Sequence, residues 1–459
     1  MNISIIGSGR VGVSLGAVLA DSGFSVLMTD KEDKKQEVFG RLSFYETHLS
    51  KYLEESQSHL EWTRWTEKIV SSELIFFCLG FPVKKNGDLD LTELFNWARY
   101  IVENTKESKI LVIKSTVPVG TNRQIQNIIG DKKIAVISCP EFLREGQAIG
   151  DLIQPQRIVI GARDKEAGKK LEELYKKISQ PKQIVHTDPE TAELSKLACN
   201  SFLATKISFI NEMAGLCEKT QADIEKLRLI LGLDSRIGKD FLNPGLGYGG
   251  YCLPKDVQLA ISEGEKRNQN MELLKTAQKI NSSLVNHFFK GIKNHYRKLN
   301  NISLVFWGIS FKKDTDNLTN SPALKLACKL LKSGVKIHVY DPVFVKEQIF
   351  KLFRDRTYPQ AENPIKDVFL KIFPPKNELD YLIRKIFEGK CHFHKSALDS
   401  LDNRQGLIIG SDWEEFKKIP LEEIKQRLSD PFIVDGRSLL LTEDLKKNKF
   451  SFYKRGAVT

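Results

Sequence analysis

A stretch near the middle of the chain, Gly247–Asp256 (GYGGYCLPKD), combines residue types that suit covalent catalysis. Its three glycines would let the backbone approach a ligand closely, and Cys252 stands just before a helix that Pro254 is expected to begin. A helix N-terminus and a nearby cation, here Lys255, both favour the thiolate form of a cysteine. A lone cysteine is usually a small buried apolar residue, which is our interpretation of Cys78. Cys252 is instead predicted to be a nucleophile.

Two further pairs of polar residues could serve the same chemistry. Glu141 and Glu145 lie four apart in CPEFLREG, and Lys196 and Asn200 lie four apart on one face of a predicted long helix. Either pair alone could be an ordinary surface pair. Together with an activated cysteine and a nucleotide cofactor, they suggest proton transfer by the carboxylates and stabilisation of an oxyanion by the lysine and the asparagine.

A glycine-rich turn near the start of the chain predicts a dinucleotide site. The motif Gly7–Gly12 (GSGRVG) directly follows a strand and opens a helix, so a pyrophosphate could sit on the helix N-terminus. Asp30 closes the second strand 18 residues after Gly12, where a carboxylate can bind the adenosine ribose and would repel a 2'-phosphate. NAD is therefore favoured over NADP. A structural glycine turn with a solvated aspartate is the alternative.

The elements around these motifs predict an α/β protein with two doubly wound, Rossmann-like domains joined by a helical central domain. In the first half, short apolar strands alternate with helices, which is typical of a parallel sheet covered on both faces. From about Pro189 the apolar residues recur at helical spacing, and more helix is expected from Pro254 to about Leu299. The last third returns to strands, and its SGVKIHVYD echoes the earlier SGFSVLMTD, so that Asp341 matches Asp30. The predicted domains are 1–188, 189–299 and 300–459.

Length and composition narrow the class of protein. The chain has 459 residues, 41% hydrophobic and 28% charged, which suits a soluble globular protein of about two or three folding units. No apolar run of about 18 residues and no secretory signal is evident, so a cytoplasmic location is expected. Seven scattered cysteines without a C-x-x-C pair suggest neither a disulfide framework nor a zinc site.

The formal net charge of +12 comes from lysines spread along the chain rather than from a clustered basic arm. Nucleic-acid binding is therefore not expected. A basic surface would also attract a diphosphate substrate over long range.

Seven motifs, in order along the chain, resemble those of the UDP-glucose 6-dehydrogenase family, within the wider UDP-glucose/GDP-mannose dehydrogenases. They are GSGRVG, STVPVGT, CPEFLREG, ELSKLACN, GYGGYCLPKD, SFKKDTD and VDGR. The resemblance covers essentially the whole chain. It implies a four-electron oxidation with two NAD, in which an alcohol becomes an aldehyde, then a thiohemiacetal on Cys252, then a thioester that water hydrolyses.

The resemblance also implies roles at matching positions. Lys196 and Asn200 would stabilise the alkoxide, while Asp256 and Glu145 would order water and move protons. The implied catalytic residues are Cys252, Lys196, Asn200, Asp256, Glu145, Thr116 and Glu141. The implied NAD-binding residues are Gly7, Gly9, Val11, Gly12, Asp30, Lys35, Thr116, Glu145 and Lys255. The implied substrate-binding residues are Phe142, Leu143, Glu145, Lys196, Asn200, Arg236, Phe241, Gly249, Lys312 and Arg437. Arg236 would reach the substrate of a neighbouring subunit, which implies at least a homodimer.

Two positions depart from the family pattern. Thr319 stands where a cofactor-binding arginine is usual, with Lys313 as a candidate substitute, and Phe81 stands where a threonine is usual. Losing a charge-assisted contact of roughly 1.5 to 3 kcal/mol would weaken NAD binding by about ten- to a hundred-fold.

Three other interpretations stay open at this point. The same chemistry could act on GDP-mannose or a UDP-N-acetylhexosamine. A two-electron β-hydroxyacid dehydrogenase also joins a Rossmann domain to a helical one, but needs neither Cys252 nor a third domain. An inactive nucleotide-binding relative would draw its support from Thr319 and Phe81.

Overall fold

The computed structural model describes residues 2–31, 35–39, 42, 44–64, 67–84, 87–130, 132–344 and 377–457. The chain folds as two units. The first unit is Met1–Ser201 with Lys255–Met271, and the second is Phe202–Pro254 with Glu272–Thr459.

The first unit is built on an eight-stranded sheet. Its strands are β1 Ile3–Ile6, β2 Val26–Asp30, β3 Leu60–Arg64, β4 Leu74–Phe77, β5 Lys109–Ile113, β6 Ile134–Ser138, β7 Ile158–Ala162 and β8 Ile184–Thr187. They lie in the order β3-β2-β1-β4-β5-β6-β7-β8, of which the first six follow the doubly wound, dinucleotide-binding order. β7, predicted as another parallel strand, runs antiparallel to β6, while the remaining neighbours are parallel.

Seven helices accompany this sheet in the described residues: α1 Arg10–Asp21, α2 Lys35–Val38, α3 Leu49–Glu55, α4 Thr92–Asn104, α5 Thr121–Ile129, α6 Ala148–Ile153 and α7 Lys165–Ile178. Two 3₁₀ turns span Gln57–His59 and Glu67–Ser71. Apolar side chains of β1 and α1, such as Ile3, Ile5 and Leu15, are fully buried in the core of this unit. Their burial holds the turn between β1 and α1 against the sheet.

The central part of the chain is helical, as the periodicity predicts. Its helices are α8 Pro189–Thr220, α9 Ile224–Leu233, α10 Cys252–Glu265 and α11 Glu272–Tyr296. The helix expected from Pro254 begins at Cys252 and breaks once, between α10 and α11. The break follows Gly264, and Asn268 there takes a left-handed φ of 57° that ends α10. None of the described helices is both long enough and apolar enough to cross a membrane.

The second unit contains a six-stranded sheet. Its strands are β9 Ser303–Trp307, β10 Lys336–Tyr340, β11 Cys391–Phe393, β12 Gly406–Ile409, β13 Phe432–Asp435 and β14 Ser451–Lys454. Its helices in the described residues are α12 Pro322–Lys332, α13 Glu378–Phe387, α14 Glu414–Lys418, α15 Leu421–Arg427 and α16 Thr442–Lys447. The strands are parallel, in the order β11-β10-β9-β12-β13-β14, which repeats the order of the first six strands of the other sheet.

The internal repeat extends to individual contacts. The backbone N–H of Ser8 donates to the carboxylate of Asp30 at 2.7 Å, and that of Ile309 donates to the carboxylate of Asp341 at 2.8 Å. In each sheet an aspartate at the end of the second strand therefore holds the turn that follows the first strand. The predicted fold class, two Rossmann-like domains with a helical region between them in sequence, is confirmed.

Candidate active site

The glycine-rich turn between β1 and α1 has a shape that only small residues allow. Gly7 has a φ of +104°, and a Cβ on Gly12 would lie 1.9 Å from the carbonyl oxygen of Gly7. Gly9 is the N-cap of α1, and apart from its own chain neighbours nothing lies within 4 Å of the place that its Cβ would take. The half-buried Val11 follows in the first turn. The N-terminus of α1 is therefore open to a pyrophosphate.

Asp30 and Lys35 complete the predicted cofactor residues on this side. The half-buried Asp30 accepts the hydrogen bond from Ser8, which places its carboxylate beside the glycine-rich turn. Lys35 is exposed at the start of α2. An acidic residue here suits ribose hydroxyls, so these residues fit NAD.

Glu145 also lies beside the glycine-rich turn. Its Oε1 is 3.5 Å from Nη2 of Arg10, the third residue after Gly7. Arg10 in turn donates to the carbonyl of Tyr45 at 2.8 Å, and its guanidinium stands 4.7 Å from the centre of the Phe44 ring. Sequence reasoning missed Arg10, because the variable positions of a glycine motif give no signal of the side chains they will meet.

The segment that carries Glu145 is held by a second carboxylate that no motif indicated. Glu46 is buried and accepts the backbone N–H groups of Gly146 at 2.9 Å and Ala148 at 2.7 Å. Burial raises the pKa of Glu46, against the lowering effect of these two hydrogen bonds. The contact joins positions about a hundred residues apart, which no local pattern could reveal.

Lys196 and Glu141 form a buried ion pair. Lys196 Nζ lies 2.8 Å from Glu141 Oε1, and the other carboxylate oxygen accepts the N–H of Leu143 at 2.6 Å. Burial opposes ionisation of Glu141, but the charge and hydrogen bond of Lys196, the N–H of Leu143 and the charge of Lys114 together hold its pKa below the usual range. Glu141 is therefore an ionised partner that orients Lys196, rather than a proton donor near neutral pH.

Phe142 and Thr116 lie close to the same lysine. The ring centre of Phe142 is 4.0 Å from the guanidinium of Arg157 and 5.6 Å from Lys196 Nζ. Thr116 and Lys196 line one small cavity, together with Ser138. The loops after β5 and β6 thus meet one face of α8, as expected for the carboxyl ends of strands in an open α/β sheet.

Asn200 and Asp256 form a second polar pair, one turn further along α8. Asn200 Nδ2 donates to Asp256 Oδ2 at 2.5 Å, and the ammonium of Lys255 contacts Asp256 Oδ1. Asp256 is fully buried. The first unit thus provides Lys196 and Asn200, the predicted oxyanion-binding residues, with one buried carboxylate each.

Cys252 is exposed as the first residue of α10. The glycines before it face protein backbone: a Cβ on Gly249 would lie 2.5 Å from the carbonyl oxygen of Asn320. Gly250, with a φ of +77°, donates its N–H to the carbonyl of Thr319 at 2.8 Å. The glycines were expected to let the backbone approach a ligand closely. At Gly249 and Gly250 they instead let it approach the loop that contains Thr319.

Arg437 lies at the carboxyl ends of β9, β12 and β13. Its guanidinium donates to the carbonyls of Gly410 at 2.8 Å, Gly247 at 3.0 Å and Phe311 at 2.6 Å. Burial lowers the pKa of Arg437. Lys312 is half-buried, with its ammonium 5.8 Å from the ring centre of Phe311. These residues surround the strand-order reversal of the second sheet, where ligands bind in this fold.

Two predicted substrate residues stand apart from this group. In the described part of the chain, the hydrogen bonds and ion pairs of Arg236 go to Asp234, at distances down to 2.6 Å, and both residues lie beyond α9. The hydrogen bonds that its guanidinium donates to Asp234 raise the pKa of Arg236. Phe241 is exposed with a φ of +63°. Lys313, the candidate substitute for an arginine at position 319, is paired with Glu414 at 2.7 Å.

Comparison with known proteins gives one consistent result. Three models of the UDP-glucose/GDP-mannose dehydrogenase family match the chain, the NAD binding domain at 1–179, the central domain at 190–283 and the UDP binding domain at 305–442. A UDP-glucose 6-dehydrogenase of Rickettsia bellii is 34% identical over 100% of both chains. One from Bacillus subtilis is 31% identical over 99% of this chain and 98% of that protein.

Solved structures agree with this match. A UDP-glucose dehydrogenase from Pyrobaculum islandicum has a TM-score of 0.82 and 28% identity, covering 100% of this chain and 98% of that one. A UDP-D-ManNAc dehydrogenase from Pyrococcus horikoshii has a TM-score of 0.78 over 99% of each chain at 22% identity, which is a likeness of fold alone.

Proposed function

The chain belongs to the UDP-glucose/GDP-mannose dehydrogenase family, and from this premise we propose that it oxidises C6 of UDP-glucose to the carboxylate of UDP-glucuronate. It is an NAD-dependent oxidoreductase with a UDP-binding domain. The observation that carries the proposal is the pair of donors on α8, Lys196 and Asn200, each held by its own buried carboxylate. Such fixed donors suit an oxygen that becomes negatively charged during reaction.

The residues proposed to hold NAD are those around the glycine-rich turn, with Asp30 and Lys35 on the ribose side and Thr116, Glu145 and Lys255 nearer the reacting carbon. These residues would hold NAD, which would supply the hydride acceptor for each of the two oxidations. The open N-terminus of α1 supports this assignment, since its backbone N–H groups suit a pyrophosphate.

Lys196 and Asn200 are proposed to stabilise the C6 alkoxide. Lys196 brings a full charge, which Glu141 keeps oriented at 2.8 Å. Asn200 has two N–H donors on its side chain, one of which it donates to Asp256. The neighbouring Phe142 and Leu143 are proposed to bound the sugar. The lowered pKa of Glu141 supports a positioning role for it.

Cys252 is the proposed nucleophile. Its exposed position at the start of α10 favours the thiolate, because the first N–H groups of a helix stabilise negative charge. The thiolate adds to the aldehyde carbon and forms a thiohemiacetal, whose oxidation gives a thioester. Asp256 and Glu145 are proposed to order the water that breaks the C–S bond, which releases the carboxylate and returns the thiol.

The UDP part of the substrate is proposed to contact Gly249, Lys312 and Arg437, with Phe241 near the sugar. Arg437 presents a half-buried cation at the carboxyl ends of β9, β12 and β13, and the half-buried Lys312 adds a second cation nearby. A diphosphate carries charge that suits both. We also propose that the domains divide at residues 188 and 299, and the three segments matched by the family models support these boundaries. A cytoplasmic location is proposed as well.

A homodimer is proposed on the basis of an apolar stripe in the second unit. Phe202, Phe209 and Leu216 are exposed at seven-residue spacing on α8, which places them on one face. Leu229 and Leu233 of α9 are also exposed. Exposed apolar surface of this kind marks an interaction site, and a second copy would cover it. The exposed Arg236, which follows α9, would then reach its partner's substrate.

The test is the number of NADH molecules formed per UDP-glucose consumed, for the wild type and Cys252→Ala. We expect two per sugar in the wild type, no turnover in Cys252→Ala, and normal turnover in the control Cys217→Ala, which removes a buried thiol. One NADH per sugar would contradict the covalent four-electron route. Turnover confined to GDP-mannose or a UDP-N-acetylhexosamine would replace the substrate, and no turnover with any nucleotide sugar would indicate an inactive relative.

A further inference from the structure

Two buried glutamates that are not among the proposed catalytic or binding residues bind the same short loop of the first unit. Glu193 of α8 accepts the N–H groups of Gly120 at 2.6 Å and Asn122 at 2.8 Å. Glu263 of α10 accepts the N–H of Val119 at 3.1 Å. The two side chains are 3% and 6% exposed, so each carboxylate relies on protein groups rather than water.

The loop that they bind is the N-terminus of α5. The N-cap of α5 is Gly120, with a φ of +97° and no side chain to cap the helix. The first N–H groups of a helix have no partner within it, and negative charge is stabilised there. Glu193 therefore caps α5 from another helix, and the hydroxyl of Ser138 adds a third hydrogen bond to it at 3.1 Å. Burial raises the pKa of Glu193, against the lowering effect of these hydrogen bonds.

Glu263 is held in its position by further contacts. Lys266 and Arg267, on the next turn of the chain, lie 3.2 Å and 3.0 Å from its carboxylate oxygens. Arg267 also donates to the carbonyl of Val119 at 3.1 Å. Glu263, near the end of α10, and Arg267, just after it, thus bind the backbone N–H and the carbonyl of Val119.

The spacing along the two helices is the same. Glu193 stands seven residues before Asn200 on α8, and Glu263 stands seven residues after Asp256 on α10. Seven residues are about two turns, or roughly 10.5 Å, and positions so spaced share one face. Asn200 and Asp256 are hydrogen-bonded to each other at the far ends of these intervals. The two helices are therefore tied together at one end and tied to the loop 119–122 at the other.

We propose that Glu193 and Glu263 are positioning residues for the reaction, holding α8 and α10 on the N-terminus of α5 so that Lys196, Asn200 and Asp256 keep their relative places. Lys196 lies one turn from Glu193 on the same face, and both line the small cavity that Thr116 and Ser138 also border. The proposal rests on the proposed function, because that function says what the positioned residues do.

The variants Glu193→Gln and Glu263→Gln test this. Glutamine keeps the shape but offers one acceptor oxygen in place of two, and its NH₂ group faces an N–H donor. We expect kcat with UDP-glucose to fall by about 10- to 100-fold while the KM values for NAD and UDP-glucose change by less than about two-fold, since misplaced catalytic groups act on turnover. Glu265→Gln, on the exposed face of α10, is the matched control and should keep wild-type kcat.

Two further measurements separate positioning from general stability. Adding Glu193→Gln to Asn200→Ala should lower kcat by a smaller factor than Glu193→Gln does in the wild type, because the part of the effect that is exerted through Asn200 is already lost. The backbone N–H groups of residues 119–122 should exchange with deuterium faster in Glu193→Gln, while the exchange of the β1 and β4 strands stays unchanged.

Several results would overturn the proposal. With an active wild type, unchanged kcat in both glutamine variants, fully additive losses in the Asn200→Ala background, or unchanged exchange at 119–122 would each reject the positioning role alone. A wild type that oxidises no nucleotide sugar would reject the proposed function and this inference together.

Discussion

Replacing Lys196 by methionine tests the buried ion pair on which the proposed oxyanion site depends. The side chains of Lys196 and Glu141 are 5% and 12% exposed, and their charged atoms are 2.8 Å apart. Methionine keeps a long unbranched side chain and removes the ammonium group. Glu141 then remains buried, with the Leu143 N–H and the charge of Lys114 as its remaining support.

The size of the effect follows from the distance and the burial. Two unit charges 2.8 Å apart attract by about 6 kcal/mol at an effective dielectric constant of about 20. Loss of hydration on burial offsets part of that attraction. Removing one partner of a buried pair costs about 3 to 5 kcal/mol, because the other charge is left uncompensated. We expect a loss of that order in the free energy of unfolding of the first unit.

The pH dependence should also change its sign. In the wild type the pKa of Glu141 lies below its ordinary value of 4.5, so its stabilising contribution is present above pH 4.5 and is lost as the pH falls through the lowered pKa. In Lys196→Met, burial dominates and the pKa rises above 4.5. The contribution of the Glu141 carboxyl to stability is then fully present below pH 4.5 and is lost as the pH rises through the raised pKa. The variant should therefore become less stable between about pH 5 and pH 8.

Thermal unfolding between about pH 5 and pH 8 measures both effects. The double variant Glu141→Gln/Lys196→Met carries no buried charge in the pair, so it should recover most of the lost stability. Lys169→Met, which removes an exposed lysine paired with Glu166, should melt like the wild type. A Lys196→Met protein with the wild-type melting temperature at every pH, or one that loses stability only toward acid, would refute this reasoning.

Three other substitutions have defined outcomes. Gly12→Ala would place a Cβ 1.9 Å from the Gly7 carbonyl and distort the turn, so we expect NADH affinity, measured by fluorescence titration, to fall more than about ten-fold. Gly150→Ala, where a Cβ meets open space, should bind normally, and equal affinities would contradict the structural argument. Thr319→Arg should lower the KM for NAD by about ten- to a hundred-fold, and an unchanged KM would show that another group already compensates. Phe209→Glu should dissociate the proposed dimer in light scattering, whereas Val185→Glu, an equally exposed position, should not; a Phe209→Glu protein of unchanged mass would exclude that face.

Local sequence patterns determined most of the fold of this protein. The glycine-rich turn, the apolar strands on each side of it, the long helix α8 and the echo between Asp30 and Asp341 are all visible as short-range spacing. β3 and β8 escaped prediction, because edge strands with exposed residues lack the continuous apolar run of a central strand. The antiparallel direction of β7 relative to β6 was also not predicted, because the apolar sequence of a buried strand does not depend on its direction.

The candidate residues were also visible in the motifs, but their partners were not. The pair Lys196–Glu141 spans 55 residues and the pair Asn200–Asp256 spans 56, so no spacing rule joins them. Glu193 begins the motif ELSKLACN and Glu263 lies in no motif, and for neither did the sequence show its partners. Their proposed positioning role follows from reaching one loop from two helices.

Sequence spacing determines which residues share the face of a helix or follow the end of a strand. Only the tertiary structure decides which faces meet and which carboxylate is buried against which cation, because those depend on the paths of loops and on the exclusion of water.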